Sequence, residues 1–137
     1  MTEIFETRSE RETFAVAENL AATLDSGSCV LLFGDLGAGK TAFVRGLAAG
    51  LGAKADEVSS PTFVIMQHYR GRLSLTHVDL YRLESPAEVA DLGLEEIAAD
   101  GVLAVEWAER MPAEPPRAVH VRIQDGGGDL RTITIDR

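Results

Sequence analysis

Hydrophobic and polar positions along the first half of the chain predict a helix, a buried strand and a second helix, in that order. Apolar residues recur at helical spacing over residues 14–24, and the capping box of Ser9 and Glu12 marks where the first helix begins. Residues 29–33 form a continuous apolar run, which is typical of a strand buried on both faces of a sheet. Helical spacing returns over residues 41–52. A glycine-rich loop therefore separates a buried strand from a helix.

The second half of the chain contains the remaining strand-like and helix-like segments. Five segments have the composition of β-strands: residues 64–69, 73–80, 101–106, 119–123 and 131–135. The first two flank a short turn and the last two flank a glycine-rich tip, so each of these pairs is predicted to form a hairpin. Two short helices are predicted between the strands, one over residues 86–92 behind a capping box at Ser85 and one over residues 94–99.

Length and composition are those of one ordinary globular domain. The chain has 137 residues, of which 45% are hydrophobic and 26% charged, so residues 1–137 are predicted to form a single domain. Its longest apolar runs are about five residues, far below the ~20 that cross a membrane. Residues 1–8 contain no apolar leader, so a cytoplasmic location without membrane contact is expected. The lone Cys29 excludes an internal disulfide and a multi-cysteine metal site.

The charge balance limits the kinds of partner that the chain can bind directly. Its formal net charge is −9 at neutral pH, and the sequence shows no basic patch. Proteins that bind nucleic acid by themselves usually present a basic surface, because the phosphate backbone supplies much of the affinity. Contact with nucleic acid is therefore expected only through a partner.

The loop between the first strand and the second helix carries the strongest chemical signal. Residues 34–41 read GDLGAGKT and match G-x-x-x-x-G-K-[ST], the phosphate-binding P-loop. Its glycines allow backbone N–H groups to wrap around phosphate oxygens, and the following helix directs its positive end at the same anion. Lys40 supplies a charge for the β- and γ-phosphates, and Thr41 supplies a hydroxyl for Mg²⁺. The predicted ATP-binding residues are Gly34, Asp35, Gly37, Ala38, Gly39, Lys40, Thr41 and Ala42.

Two acidic residues at the ends of predicted strands are candidates to complete the site. Glu106 ends the apolar run of residues 102–105, and Asp79 follows the more amphipathic residues 75–78. Ligands of α/β sheets gather at the carboxyl ends of the strands, so both carboxylates could reach a bound nucleotide. A P-loop ATPase needs such an acid to hold Mg²⁺ directly or through water. Either acid could instead be a solvated carboxylate at a strand end.

The residues alone leave three functions open. They are an ATPase that drives a conformational cycle in a partner complex, a stand-alone small-molecule kinase, and a nucleotide-dependent binding module with negligible hydrolysis. The guanine-reading motif Asn-Lys-x-Asp is excluded, because the only asparagine is Asn19 in the first predicted helix. Arg70, Arg72 and Arg82 could form the arginine-rich lid of a kinase, but a hairpin turn and a solvated face explain them more simply.

Four sequence blocks together point to one protein family. They are residues 34–41 (GDLGAGKT), 60–63 (SPTF), 78–83 (VDLYRL) and 105–107 (VEW). In order and spacing these blocks resemble the TsaE family, the bacterial ATPases of tRNA threonylcarbamoyladenosine synthesis. The P-loop is common to many families, whereas the DLYRL and EW blocks are specific to this one. The resemblance covers roughly residues 30–110.

The resemblance implies a fold and a set of site residues. The expected fold is α/β, a single P-loop NTPase-like domain with a mixed, mostly parallel sheet flanked by helices, and the pattern adds a C-terminal β-hairpin. ATP and Mg²⁺ are the implied cofactors. The implied catalytic residues are Lys40 and Asp79, and the implied Mg²⁺ ligands are Thr41 and Glu106. Residues 60–62 should act as a switch-like loop near the γ-phosphate.

The resemblance also implies a place among partners. The family works with the proteins TsaB and TsaD, which transfer a threonylcarbamoyl group to the adenosine beside the anticodon of tRNA. The ATP cycle of this chain would support turnover of that complex, with tRNA contacted only through the partners and with weak hydrolysis by the chain alone. Trp107 is either a core aromatic residue or a wall near the nucleotide.

Overall fold

Strands and helices alternate in the described part of the chain, which comprises residues 1–34, 39–54 and 66–137 of a computed structural model. Within these residues, seven strands form one sheet: β1 (Thr2–Thr7), β2 (Cys29–Gly34), β3 (Met66–Tyr69), β4 (Leu75–Asp79), β5 (Val102–Glu106), β6 (Val119–Asp125) and β7 (Arg131–Asp136). The α-helices of the same residues are α1 (Glu10–Ala21), α2 (Lys40–Gly50), α3 (Pro86–Ala90) and α4 (Leu94–Ala99). A 3₁₀ turn, Ala108–Arg110, follows β5.

The sheet has the order β1-β7-β6-β2-β5-β4-β3 and is mixed. Its central strands β6, β2, β5 and β4 run parallel, whereas β1, β7 and β3 pair antiparallel with their neighbours. The expected α/β fold with a mixed sheet and flanking helices is therefore confirmed. The C-terminal hairpin is confirmed as β6 and β7, in which Ile123 lies opposite Ile133.

The N-terminal strand β1 is the one strand of the described residues that the hydrophobic pattern did not predict. It forms the outer edge of the sheet and pairs with β7, where Phe5 lies opposite Ile133. Ile4 and Phe5 are adjacent in sequence, so they fit neither the period of a strand nor that of a helix. Pairing with the neighbouring strand β7, and not local periodicity, determines that this segment is a β-strand. Ile4 lies on the outer edge of the sheet and is 68% exposed.

The two faces of the sheet bury separate hydrophobic clusters, which confirms β2 as a strand buried on both sides. Val30 and Leu32 of β2 pack into the cluster under α1 and α2. Leu31 and Cys29 face the cluster under α3 and α4. Burial raises the pKa of the Cys29 thiol to about 12, and the charge of Glu114 adds to that shift, so the thiol is inert packing at neutral pH.

Close contact between α1 and α2 gives a test of this packing. A methyl group added at Gly46 would meet the carbonyl oxygen of Phe14 and lie 2.7 Å from the Cβ of Ala17. We expect Gly46→Ala to lower the free energy of unfolding by about 1–3 kcal/mol through overpacking, although alanine is the better helix former. Denaturant unfolding measures the change. Ala15→Leu, on the exposed side of α1, is the control and should stay within about 0.5 kcal/mol of the parent.

Candidate functional site

The parallel strands bring three of the sequence-predicted residues to one edge of the sheet. β2 ends at Gly34, β4 at Asp79 and β5 at Glu106. In the register of the sheet, Asp79 lies opposite Glu106 and Glu106 lies opposite Leu32, two residues before Gly34. All three residues lie at the carboxyl ends of their strands, and α/β sheets bind ligands at the edge that these ends form.

The two described glycines of the P-loop adopt conformations that favour glycine. Gly34 has a φ of 144°, and a Cβ at this position would collide with the carbonyl oxygen of Ile123 on β6. Gly39 has a φ of 97° and is the N-cap of α2. A larger residue at either position would be strained, as expected where a backbone turns sharply around an anion. Asp35, Gly37 and Ala38, which were predicted to bind ATP, lie outside the described residues, as does the loop at 60–62.

The start of α2 presents a buried cation and an uncapped helix end. Gly39 carries no capping side chain, so the positive end of this eleven-residue helix is left to other partners. Lys40 is the first residue of the helix and only 8% exposed, and Ala42 is 6% exposed. Thr41 lies between them and is half-buried. The predicted phosphate-binding residues of α2 therefore sit together at a helix N-terminus, where anions bind well.

Trp107 forms a wall beside Lys40. The Lys40 Nζ lies 5.3 Å from the centre of the Trp107 ring, and the ring of Tyr81 packs against the same indole with a centroid distance of 5.1 Å. The guanidinium of Arg110 is also 5.3 Å from that ring. Trp107 has a φ of 58°, which is unusual for a residue with a side chain and orients the indole immediately after Glu106. Its half-buried ring packs against the cluster under α3 and α4, which fits the interpretation as a core aromatic residue, whereas a wall near the nucleotide stays a prediction.

Asp79 is held next to the other charged groups of the edge. Its Oδ1 accepts a hydrogen bond from the Tyr81 N–H at 2.9 Å. Burial raises the pKa of the Asp79 carboxyl, and the nearby charge of Glu106 raises it further. The Tyr81 hydrogen bond lowers that pKa, as do the charges of His77 and Lys40. Asp79 is thus within electrostatic reach of both Lys40 and Glu106.

Glu106 is buried and faces the imidazole of His77. It is 5% exposed, and its Oε2 lies 3.6 Å from Nε2 of His77, which is fully buried. Within residues 1–34, 39–54 and 66–137, neither ring nitrogen of His77 makes a hydrogen bond. A histidine in a strand-like run either packs within the sheet or faces solvent, and His77 packs within the sheet. Its proximity to Glu106 comes from the pairing of β4 with β5, which the sequence pattern alone does not give.

The predicted Mg²⁺ ligands match the chemistry of that ion. Mg²⁺ prefers hard oxygen ligands and usually keeps several waters while it binds one or two protein groups and substrate phosphates. Thr41 offers a hydroxyl, and Glu106 a buried carboxylate at the adjacent strand end. Within the described residues, no group of three or more His, Cys, Asp or Glu side chains is arranged as a metal cage. The residues fit a metal shared with phosphate rather than one held by protein alone.

A cavity that sequence reasoning missed adjoins the start of α2. It has a volume of about 280 Å³ and is lined by Glu10, Arg11, Phe14, Ala42 and Arg45. Ala42 directly follows Thr41, so one lining residue of the cavity adjoins the predicted phosphate site in sequence. Phe14 was predicted only as a core position of the first helix. Its half-exposed ring in this cavity depends on how α1 packs against α2, which periodicity does not reveal.

The remaining arginine candidates and His120 lie at the surface. Arg70 and Arg72 lie in the turn that joins the antiparallel strands β3 and β4, so the hairpin-turn interpretation holds for them, and Arg82 is exposed. His120 pairs with Glu114 at 2.7 Å on the surface. Every helix in residues 1–34, 39–54 and 66–137 is too short or too polar to cross a membrane.

Comparison with known proteins matches this chain to one family. A sequence profile of the family described as "Threonylcarbamoyl adenosine biosynthesis protein TsaE" matches residues 7–133. The tRNA threonylcarbamoyladenosine biosynthesis protein TsaE of Treponema pallidum is 41% identical over 93% of this chain and 96% of its own length. The protein of the same name from Nostoc sp. is 45% identical over 98% of this chain and 85% of its own length. The Bacillus subtilis protein of that name is 44% identical over 93% of this chain and 81% of its own length.

A solved structure shares the fold. The crystal structure of Bacillus subtilis YdiB matches with a TM-score of 0.75 and 35% sequence identity, over 98% of this chain and 84% of that chain. The match extends beyond the central parallel strands to nearly the whole chain.

Proposed function

Because the chain belongs to the TsaE family, and so to tRNA threonylcarbamoyladenosine biosynthesis, we propose that it acts there as a Mg²⁺-dependent ATPase. ATP binding and hydrolysis would drive a conformational cycle in a complex of TsaB and TsaD, which performs the threonylcarbamoyl transfer. One observation carries the ATPase assignment. The end of β2, the start of α2 and the two acids Asp79 and Glu106 converge on one edge of the sheet.

Each residue of this edge has a role that fits its position. Lys40, buried at the N-terminus of α2, neutralises the charge of the β- and γ-phosphates. Thr41 and Glu106 would hold Mg²⁺, which adds positive charge opposite the same phosphates when bound. Asp79 orients the attacking water and accepts its proton as water adds to the γ-phosphorus and ADP leaves. A carboxyl whose pKa is raised by burial is a better base than an ordinary aspartate.

The partner assignment rests on the family and on charge. With a net charge of −9, the chain is poorly suited to hold tRNA by itself. TsaB and TsaD would supply the RNA contact. Among the described residues, Arg110 is a cation that contacts the same Trp107 ring as Lys40. Its guanidinium donates to the carbonyl of Leu83 at 2.6 Å, so we expect slow hydrolysis until a partner completes the site.

ATP turnover by the chain alone and with purified TsaB and TsaD tests the proposal. The expected result is slow release of phosphate by the chain alone and faster release with the complex. A phosphorylated small molecule formed in place of free phosphate would support the kinase alternative. Tight nucleotide binding with no hydrolysis under either condition would support the binding module.

The cavity beside Ala42 is proposed to hold the base of ATP, with Phe14 as the stacking surface. We expect Phe14→Ala to weaken ATP binding by roughly 5–150-fold, since stacking of a base on an aromatic ring contributes about 1–3 kcal/mol. Inorganic triphosphate, which has no base, is the matched ligand and should bind both forms equally. Calorimetric titration measures both affinities, and thermal unfolding shows whether the variant is folded. Equal losses for the two ligands would contradict a role in base binding.

A further inference from the structure

Two adjoining cavities form a groove on the α3 and α4 side of the molecule. One has a volume of about 350 Å³ and the other of about 520 Å³. Both are lined by Val89, Met111 and Pro112, so they lie side by side. The floor includes two apolar residues, Val89, which lines both cavities, and Leu94, which lines the smaller one, and they are 4% and 6% exposed. These two cavities together are called the α3–α4 groove.

The rim of the α3–α4 groove is acidic. Glu95 and Glu96 line one cavity, Glu84 and Glu109 line the other, and all four are exposed. Residues 84–114 contain nine acidic residues and one basic residue, a net charge of −8 out of the −9 of the whole chain. Nearly all of the excess negative charge of the protein therefore lies in the segment that builds this groove.

We propose that the α3–α4 groove is the docking site for a basic segment of a partner protein, with an apolar side chain seated on the Val89 and Leu94 floor and Lys or Arg side chains on the rim. An apolar floor inside a charged rim is the usual anatomy of a protein interface. Complementary charge would steer the segment into the groove and fix its register. Nucleic acid is disfavoured here, because its phosphates would meet the acidic rim.

Two side chains, Arg110 and Trp107, link the groove to the proposed nucleotide site. Arg110 lines the larger cavity, and its guanidinium lies 5.3 Å from the Trp107 ring. Lys40 Nζ lies 5.3 Å from the same ring. A segment bound in the groove would therefore touch a residue that is separated from the phosphate-binding lysine by a single indole. This connection favours a partner whose binding is linked to nucleotide over an unrelated protein.

The inference rests on the proposed function for its probe, the purified TsaB–TsaD complex from the same organism. Calorimetry would measure its affinity for this chain in the presence of a non-hydrolysable ATP analogue. Ala90→Arg places a bulky cation in the groove from the exposed end of α3, and Glu84→Lys with Glu95→Lys reverses two rim charges. We expect each variant to weaken binding of the complex by about tenfold or more, while the analogue still binds normally.

Matched controls carry the same changes on other surfaces. Ala15→Arg introduces the same side chain on the exposed face of α1, which packs on the opposite side of the sheet, and Glu6→Lys with Glu18→Lys makes the same charge reversal. We expect both controls to bind the complex within about twofold of the parent. Raising the ionic strength should weaken binding of the complex more for the parent than for the Glu84→Lys, Glu95→Lys variant. The variant has fewer attractive charge contacts for salt to screen.

The outcomes separate the docking site from the proposed function. Normal binding by the groove variants, or equal losses in variants and controls, would overturn the docking site while the partner assignment stands. Failure of the parent chain to bind the complex under any nucleotide condition would overturn the partner assignment, and this docking site with it. Dimerisation of the parent that Ala90→Arg abolishes would show that a second copy occupies the groove, which also overturns the proposal.

Discussion

Lys40→Ala is expected to weaken ATP binding by roughly 10–150-fold and to remove most hydrolysis, while the protein stays folded. The ammonium group is only 8% exposed and sits at the start of α2, where it would face two phosphates away from bulk water. A hydrogen bond to a charged group contributes about 1.5–3 kcal/mol, which corresponds to this loss in affinity. Calorimetric titration with ATP and a phosphate-release assay measure the two effects.

The chain contains its own control for this substitution. Lys54 is the only other lysine and is exposed beyond the end of α2, so Lys54→Ala makes the same change in charge away from the site. It should bind ATP like the parent. If Lys40→Ala and Lys54→Ala both retain full affinity and turnover, residues 34–41 do not form a functional P-loop.

Glu106→Gln is expected to weaken the Mg²⁺-dependent part of nucleotide binding by about 10–100-fold, the range typical of groups that organise a metal site. An amide is a poorer ligand than a carboxylate for a hard cation. Glutamine has nearly the same shape, so the packing of this buried side chain against His77 should survive. Titration with ADP in the presence and absence of Mg²⁺ isolates the effect, which should vanish without the metal.

Two further variants define what is specific to Glu106. Glu109→Gln makes the same change on the exposed 3₁₀ turn and should leave Mg²⁺ dependence unaltered. Asp79→Asn should reduce hydrolysis more than ATP binding, because Asp79 is proposed to act on the attacking water. A loss of affinity in Glu106→Gln that is equally large without Mg²⁺ would exclude Glu106 as a metal ligand.

The parts of the fold that the sequence predicted are those in which local pattern and burial agree. Residues 29–33 of β2 are apolar without interruption because both sheet faces bury them, and the helix after the P-loop follows from its period. Ser9 and Ser85 accept hydrogen bonds from the backbone N–H groups of Glu12 and Glu88, so both predicted serine caps form. The two glutamate carboxylates accept from the N–H groups of Arg8 and Glu84, one residue before each cap, and not from the serines as a full capping box requires. Helix starts were predictable because capping depends on neighbours only a few residues away.

The parts that the sequence did not predict depend on contacts between distant segments. β1 exists because β7 offers it a partner more than a hundred residues away, from Thr2 to Asp136. In the sequence, His77 is an ordinary residue of a predicted strand. The pairing of β4 with β5 places it against Glu106. Arg110 carries no motif, and only the 3₁₀ turn after β5 brings its side chain over Trp107. Local pattern carries no information about such pairs.

The central claim is that nucleotide state at this site controls association with the TsaB–TsaD complex. A nucleotide can shift a partner's affinity only if the two nucleotide states present different surfaces, so the ATP and ADP forms must bind the complex differently. The most direct measurement is the affinity of the chain for purified TsaB–TsaD with a non-hydrolysable ATP analogue, with ADP and with no nucleotide. The account predicts that the analogue and ADP give clearly different affinities, and that Lys40→Ala abolishes this difference. Equal affinities in all three conditions would contradict it.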